Sequence, residues 1–390
     1  MKFLHTADWH LGVKTNGRDR LLEQKKVLDE ILSIASFEEV DCVIIAGDVF
    51  NTASPSADAE ELFFDAIEKL SNKGDRFVFV LAGNHDDPTR LAAGLPLASK
   101  HNIALVSDLK KLNEKSFNQN SIISVVESGK GYIKLKKNEE IATIAYLPYP
   151  SDVRINEKLE EDNLSYAEKV SRWASIGASE FSNDTFNIFV SHLFMVGAKT
   201  RDYEVKAGDL FAVPSNMIPN ADYTALGHIH TPQKLENNAY YSGSITELSI
   251  KQKNLGVNVF ESENGKLVNF KQIKLQNTSR YEKVTANSIE DAEDKLNDFD
   301  DNDIVELEIY QTAPLSASSL KQLRKSHPCI SNIALIRTEI NTENSEKSQR
   351  KLLSDSELFT EFYKSLKGFE PSKELIEMFI NCKGGENETD

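Results

Sequence analysis

Five apolar runs in this sequence each end in side chains that can bind metals, and that repeated ending constrains the fold more than any other feature. The runs are Phe3 to His10 (FLHTADWH), Cys42 to Asp48 (CVIIAGD), Val78 to Asp86 (VFVLAGNHD), Phe186 to His192 (FNIFVSH) and Tyr223 to His230 (YTALGHIH). Apolar, β-branched stretches of this length predict buried strands, and polar groups at their tips need partners if they are buried too. In open α/β sheets the carboxyl ends of the strands face one crevice, so five such strands can pool Asp, His and Asn in a single place.

Around these runs, residues 2 to 100 read as strand, helix, strand, helix, strand. Helical apolar spacing covers Arg20 to Ala35 and Ala57 to Leu70. From Asn102 to Tyr149 the pattern shortens to alternating runs (Ile122 to Val126, Tyr132 to Leu135, Ile141 to Leu147), which predict a second, more antiparallel sheet. A helix around Ser165 to Phe181 and a β-rich finish over Ala239 to Leu275 close a first domain, residues 1–275. Strand and helix then alternate through Tyr281 to Thr285, Ile289 to Asn297, Ile304 to Tyr310, Ala317 to Arg324 and Ile333 to Ile340, a small second domain over residues 276–340. A polar linker, residues 341–350, leads to residues 351–390. There Ser354 and Glu357 make a capping box ahead of an apolar stripe of Leu358, Phe359, Phe362, Tyr363 and Leu366, and a second short helix spans about Lys373 to Ile380. Two amphipathic helices behind a linker must bury their stripes, on their own domain or in a partner's groove.

Composition limits the partners. With 390 residues, 40% hydrophobic, the chain has core enough for two or more globular domains. It lacks an apolar signal core and any run that could span a bilayer, which predicts a cytoplasmic protein with no membrane contact. Its cysteines, Cys42, Cys329 and Cys382, are too scattered for a disulfide framework or a thiolate metal site. The formal charge of −16 is unusual for a protein that grips a polyanion unaided, so metal ions, local patches or a partner would have to supply the grip.

The candidate donors are Asp8, His10, Asp48, Asn84, His192, His228 and His230. Asp8 and His10 stand two apart, as do His228 and His230, and period-two geometry at a strand end would send each pair to one side. Gly47 before Asp48 and Gly83 before Asn84 permit a sharp turn close to an ion. A mixed imidazole and carboxylate set suits Mn, Fe, Zn or Ni better than Ca or Mg. If Asp48 bridges two ions, the seven side chains give four contacts to each and leave room for water and phosphate. Two ions about 3.5 to 4 Å apart clamp the attacking and leaving oxygens of a displacement at phosphorus, so the expected reaction is phosphoester hydrolysis. His85, a non-ligand beside Asn84, is placed as a general acid. His5, His101 and His327 read as structural residues.

These motifs (DWH at Asp8, GDVF at Asp48, GNHD at Asn84, SH at His192, GHIH at His228) resemble the calcineurin-like metallophosphoesterase superfamily. Within it, LHTADWHLG, GDVFNTASPS and ALGHIH followed by YSGS resemble the nuclease-subunit family of the bacterial SbcCD complexes. The resemblance implies an α/β fold, a four-layer α/β/β/α sandwich with a small α+β capping domain and C-terminal helices. It also implies two Mn ions, with Asp8, His10, Asp48 and His230 on one and Asp48, Asn84, His192 and His228 on the other, and His85 as the catalytic histidine. The implied activity is 3′ to 5′ exonuclease and endonuclease action on DNA ends and hairpins. The implied partners are an SbcC-type coiled-coil ATPase docked on the C-terminal helices, DNA, and a second copy of the chain. Asn51 stands where archaeal relatives place His and many phosphatases Asp. A phosphomonoesterase or cyclic-nucleotide phosphodiesterase is the alternative, because the metal set serves many substrates. A non-catalytic scaffold would have lost ligands, and none is missing. Truncation after Arg350 is expected to preserve metal-dependent hydrolysis of short substrates and to abolish co-purification with the ATPase; retained co-purification would move the docking surface elsewhere.

Overall fold

The computed structural model describes residues 1–151, 164–200, 211–250, 252–311 and 315–337, with 359–360, 363–364, 370–373 and 375–376 beyond them. Contacts divide the chain into two units, Met1–Arg337 and Thr338–Asp390. The first unit opens with β1 (Lys2–Thr6), a two-strand ribbon β2 (Lys14–Thr15) and β3 (Arg18–Asp19), α1 (Leu21–Phe37), β4 (Cys42–Ala46), α2 (Ala57–Leu70), β5 (Phe77–Leu81), two short helices α3 (Pro88–Ala93) and α4 (Leu95–Ala98), and β6 (Ile103–Val106). It continues with β7 (Ser124–Gly129), β8 (Tyr132–Lys137), β9 (Glu140–Leu147), α5 (Tyr166–Ala178), β10 (Phe186–His192), β11 (Tyr223–Gly227), β12 (Gln233–Lys234), β13 (Ala239–Tyr241), β14 (Gly256–Glu263) and β15 (Lys266–Lys274).

These strands form two stacked sheets. One has the order β15-β14-β1-β4-β5-β6, the other β12-β13-β11-β10-β9-β8-β7. In the first, β1, β4, β5 and β6 run parallel, with β14 and β15 antiparallel at one edge. β4 and β5 are buried at every position, as continuous apolar strands must be when both faces are covered. Val43, Ile45, Val78 and Val80 face a cluster with Val27, Leu28 and Ile31 of α1 and Leu62, Phe63 and Ile67 of α2. Cys42, Ile44, Phe77 and Phe79 belong to a second cluster with Ile144, Ile188 and Tyr223 of the other sheet. Val170 and Ala174 of α5 join that cluster from the far side of the second sheet, which completes four layers, α/β/β/α. The expected antiparallel second sheet is mixed: β7, β8 and β9 alternate in direction, whereas β9, β10, β11 and β13 are parallel.

Helix ends follow the local chemistry. Ser56 caps α2 by accepting from the Ala59 amide, with Asp58 and Glu60 in the first turn and Lys69 in the last. Ser165 and Glu168 close a full capping box on α5.

The rest of the first unit is a smaller layer, β16 (Tyr281–Ala286), α6 (Ile289–Leu296), β17 (Ile304–Gln311), α7 (Ala317–Ser326) and β18 (Ile330–Arg337). Its three strands are all parallel, so this small unit is a βαβαβ arrangement around Val284, Ala292, Leu296, Leu307, Ile309 and Leu323. The ribbon that follows the first polar tip ties it to the body. Arg18 donates to the carbonyls of Asp303 (2.7 Å), Pro328 (3.1 Å) and Asp301, and the Asn16 amide reaches Glu306 and Ser331, each at 3.2 Å.

In the second unit the Phe359 and Tyr363 rings lie 6.0 Å apart, and Lys364 pairs with Glu370 at 2.8 Å. Ser354, Glu357, Leu358, Phe362 and Leu366 lie outside the described residues, as does the linker. Among the described residues, no helix is long and apolar enough to cross a membrane.

Arg20, directly before α1, is 2% exposed; its guanidinium holds Glu23 through two 2.8 Å bonds and donates to the Glu247 carbonyl. Glu23 in turn accepts from the Ser279 amide at 3.0 Å. Arg20→Ala leaves a buried carboxylate without its cation and is expected to cost about 3–5 kcal/mol in denaturant unfolding. A loss below about 1 kcal/mol would mean that Glu23 finds water or a proton instead.

Candidate metal centre

All five polar tips meet where the carboxyl ends of the two sheets converge. β1 stops at Thr6, so Asp8 and His10 are not strand residues; they lie in a loop with φ of 53° and 45°. The expectation that strand pleating aligns them is therefore corrected: left-handed backbone does it. That loop is laced to the loop after β4 by amides of Asp8, His10 and Leu11 donating to carbonyls of Gly47 (3.0 Å), Asp48 (3.0 Å) and Val49 (2.9 Å). Asp48 (φ 51°) and His228 (φ 97°) are left-handed too, and non-glycine residues hold such angles only where surrounding structure imposes them.

Asp48 sits at the centre, 1% exposed. Its Oδ1 accepts from the His85 amide at 2.9 Å, while Oδ2 faces Nε2 of His192 (3.4 Å), His10 (3.6 Å) and His85 (4.0 Å). Two sets of donors flank this carboxylate. On one side His10 Nε2 and His230 Nε2 approach to 3.1 Å, with the Asp8 carboxylate in the same cluster. On the other, Asn84 Oδ1 lies 3.0 Å from both His192 Nε2 and His228 Nδ1. Asp8 also accepts from the His228 amide at 3.0 Å, which fastens the loop after β11 to the loop after β1. His192 is oriented by the Ala46 carbonyl: its Nδ1, 2.8 Å away, must donate, so Nε2 is the nitrogen turned inward.

Several residues outside the expected set hold this geometry. Asp86 accepts from the amides of Gly83 (2.8 Å), Phe50 (2.9 Å) and Val49 (3.2 Å), clamping the loops after β4 and β5 together. Gln24 donates to the carbonyls of Trp9 (3.0 Å) and His10 (2.9 Å) and accepts from Gly12. It is a polar residue on the apolar stripe of Val27, Leu28 and Ile31, and that break in pattern is a readable signal. Tyr149 lies ring to ring with His228 and edge-on to His192, both at 6.0 Å between centroids. Gly83 is required by contact: a Cβ there would run into the amide and carboxylate of Asp48.

His85 is set apart. Its side chain is 42% exposed, and Nδ1 lies 2.8 Å from the Asn51 carbonyl, so Nδ1 donates and Nε2 is the nitrogen turned toward the cluster. Asn51 thus serves through its backbone, whatever its side chain. His5 is a core residue: Nδ1 meets the Tyr223 hydroxyl at 3.1 Å between the sheets.

The electrostatics are those of a site built for cations. Burial depresses His10 and His228 to about 3 and His230 to about 4, so all three are neutral donors at ordinary pH. Burial lifts the Asp8 carboxyl to about 7. Burial would raise Asp48 as well, but the neighbouring His192 charge holds it well below the usual carboxylate range; conversely Asp48 keeps His192 at about 9 against its own burial. Three overlapping clusters, Asp8/His10/His230, His10/Asp48/His85 and Asp8/Asp48/His192, each have their ligand atoms within 4.8 Å of one another. Ring nitrogens and an amide oxygen within 3.0–3.1 Å of one another, at His10 with His230 and at Asn84 with His192 and His228, are donor atoms already gathered at the spacing a shared cation can use once they are deprotonated. The donor set fits adjacent divalent metals.

A four-layer α/β sandwich whose strand ends gather imidazoles around one shared carboxylate is the framework of a metal-dependent phosphoesterase. Comparison with known proteins agrees: residues 1–232 match the family of calcineurin-like phosphoesterases. A curated relative, the D-subunit of the nuclease SbcCD of Bacillus subtilis (strain 168), is 32% identical over 407 aligned residues that cover 100% of both chains. The chain belongs to the calcineurin-like phosphoesterases and, within them, to the family of that nuclease component. A crystal structure of a Staphylococcus aureus protein described as a 5′-nucleotidase, in complex with alpha-ketoglutarate, aligns at 11% identity and a TM-score of 0.37. It spans 83% of this chain and 57% of that one, a likeness too distant to carry an argument.

The metal-free protein should be acid-labile in a defined window. Free imidazole titrates near pH 6.5, whereas folded His5, His10 and His228 do so at about 3 and His230 at about 4. As pH falls from 6.5 toward 4, the unfolded chain takes up four protons that the folded chain refuses, so stability falls. Asp8 and Asp86, both raised by burial, act the other way, and His192 is protonated in both states through most of this range. Four against Asp8 and whatever part of a proton Asp86 holds leaves between two and three net protons, on the order of 3–4 kcal/mol per pH unit at most. Urea unfolding of chelator-treated protein from pH 6.5 to 4.5 checks this, and a flat midpoint would mean that the imidazoles are not held neutral.

Proposed function

We propose that this chain is a two-metal DNA nuclease of double-strand-break repair, acting 3′ to 5′ as an exonuclease and as an endonuclease on ends and hairpins. One observation carries the reading: two donor sets share Asp48 in a chain that aligns end to end with a protein named as part of a nuclease. Asp8, His10, Asp48 and His230 would hold one Mn ion, and Asp48, Asn84, His192 and His228 the other. Bound divalent cations supply Lewis acidity toward the phosphate and ionise a water near neutral pH.

The chain's own residues do the rest. The Asn51 carbonyl keeps His85 in one tautomer, so the proton that His85 delivers is carried on Nε2, facing the cluster. Hydrolysis forms one P–O bond from the water oxygen and breaks the P–O bond to the leaving sugar oxygen, which takes that proton. Asp48, fixed through Oδ1 by the His85 amide, keeps the metal cluster and the acid in register. Residues 276–340 would act as the capping element that admits DNA. The relative's name makes it one component of a complex, and the same assembly here would place an SbcC-type coiled-coil ATPase on residues 351–390, with ATP gating access to the site. A second copy of the chain would complete a homodimer.

His85→Gln is expected to leave two metals bound, by elemental analysis, while mononucleotide release from an end-labelled duplex in Mn falls by roughly 10²–10⁴. Metal and activity lost in proportion would make His85 a ligand. Rapid turnover of a phosphomonoester with DNA untouched would replace the nuclease by a phosphatase.

A further inference from the structure

Beside the metal centre, a groove of about 1220 Å³ runs between the segment after β6, the turn between β7 and β8, and α5. It begins at Pro88, three residues beyond His85, and at Tyr149, whose ring sits 6.0 Å from those of His192 and His228. Its size exceeds the roughly 300–1,000 Å³ of a small-molecule pocket. Its floor carries Trp173, half-buried on α5. Its rims carry four cations, Lys110, Lys111, Lys130 and Arg172, against one carboxylate, Asp108. Lys110 pairs with Asp108 at 2.6 Å and Lys111 with Glu114 at 3.0 Å, but exposed pairs of this kind hold their partners weakly. Four cations against the carboxylates of Asp108 and Glu114 leave the described lining cationic on a chain of net charge −16, which favours an anionic occupant.

We propose that this groove holds an unpaired nucleic-acid strand that leads to or from the metal centre, an inference resting on the nuclease reading above. Cations flanking exposed aromatic faces are how proteins hold single strands without reading sequence: phosphates meet the cations and bases stack on the rings. Tyr149 and Trp173, both half-buried, are the rings that line it, and Tyr149 touches both the groove and the imidazoles, so a strand lying here would continue to the reacting phosphate. Stacking on a ring requires a base whose face is open, which a base paired within a duplex does not offer. The strand would therefore be unpaired before it reaches His85.

The chain provides its own probe. It has two tryptophans; Trp9 is 0% exposed, whereas Trp173 lines the groove. Chelator-treated full-length protein titrated with an oligothymidylate is expected to lose tryptophan emission as the oligonucleotide saturates it, with salt weakening the binding. Lys130→Glu combined with Arg172→Glu should weaken binding of the labelled oligonucleotide, read by anisotropy, by roughly tenfold or more. Unchanged emission at saturation, or wild-type affinity in the double variant, would overturn the proposal. Equal quenching by polyglutamate would overturn it in favour of an acidic protein segment. The nuclease reading fails separately, if Mn-loaded wild type releases no nucleotides from linear DNA whatever the emission does.

Discussion

The burial of Asp48 is the interaction on which the rest of the site depends. A carboxylate at 1% exposure is costly unless its charge is answered, and here one oxygen is fixed by an amide while the other faces three imidazole nitrogens within 4.0 Å. Its position is set by features that have no chemistry of their own. Gly47 turns the chain at a φ of 95°, Gly83 leaves the space that a Cβ would take, and Asp86 ties both loops together through three amides. A second acid of the cluster, Asp8, is held the same way, by the His228 amide, so each carboxylate fastens a loop from another strand.

This explains why two sheets are needed. Three of the five polar tips come from the first sheet (β1, β4, β5) and two from the second (β10, β11), and the bond from His192 to the Ala46 carbonyl crosses between them. The inter-sheet core, with Phe3, Phe186, Tyr223 and Phe260 in ring contact, fixes the separation and hence the distances among the donors. The same rigidity passes outward. The loop of Asp8 and His10 continues into the ribbon whose Arg18 grips Asp303 and Pro328, and then into buried Arg20, so the βαβαβ layer is mounted on the chain segment that supplies the first donors.

Much of this is legible in the sequence because strand ends and ligand residues coincide. VFVLAGNHD reads as strand followed by donors whether or not its neighbours are known, and α2 falls on Ala57–Leu70 as its apolar spacing predicts. What sequence reading misses has physical causes. Period two suggests itself for Asp8 and His10 although the strand ends at Thr6, because nothing in the residue types announces a left-handed loop. Asp86 reads as one more acid in a motif, since its role is to accept three amides brought by folding from elsewhere. Asn51 looks like a departure because only its side chain is visible in sequence, whereas the structure uses its carbonyl.

The charge of the chain becomes intelligible on the same grounds. Buried acids such as Asp8, Asp48 and Asp86 organise loops, and divalent ions held by Asp8 and Asp48 would reverse the local sign at the point where a phosphate must approach. Away from that point an acidic surface repels a polyanion, which favours entry along the few cationic routes over adsorption anywhere on the protein. The groove lined by Lys130 and Arg172, next to Tyr149, would be such a route. A strongly acidic nuclease is thus no contradiction: where attraction is limited to bound metals and a cationic groove, repulsion from an acidic surface would help direct the substrate to the site where it is cut.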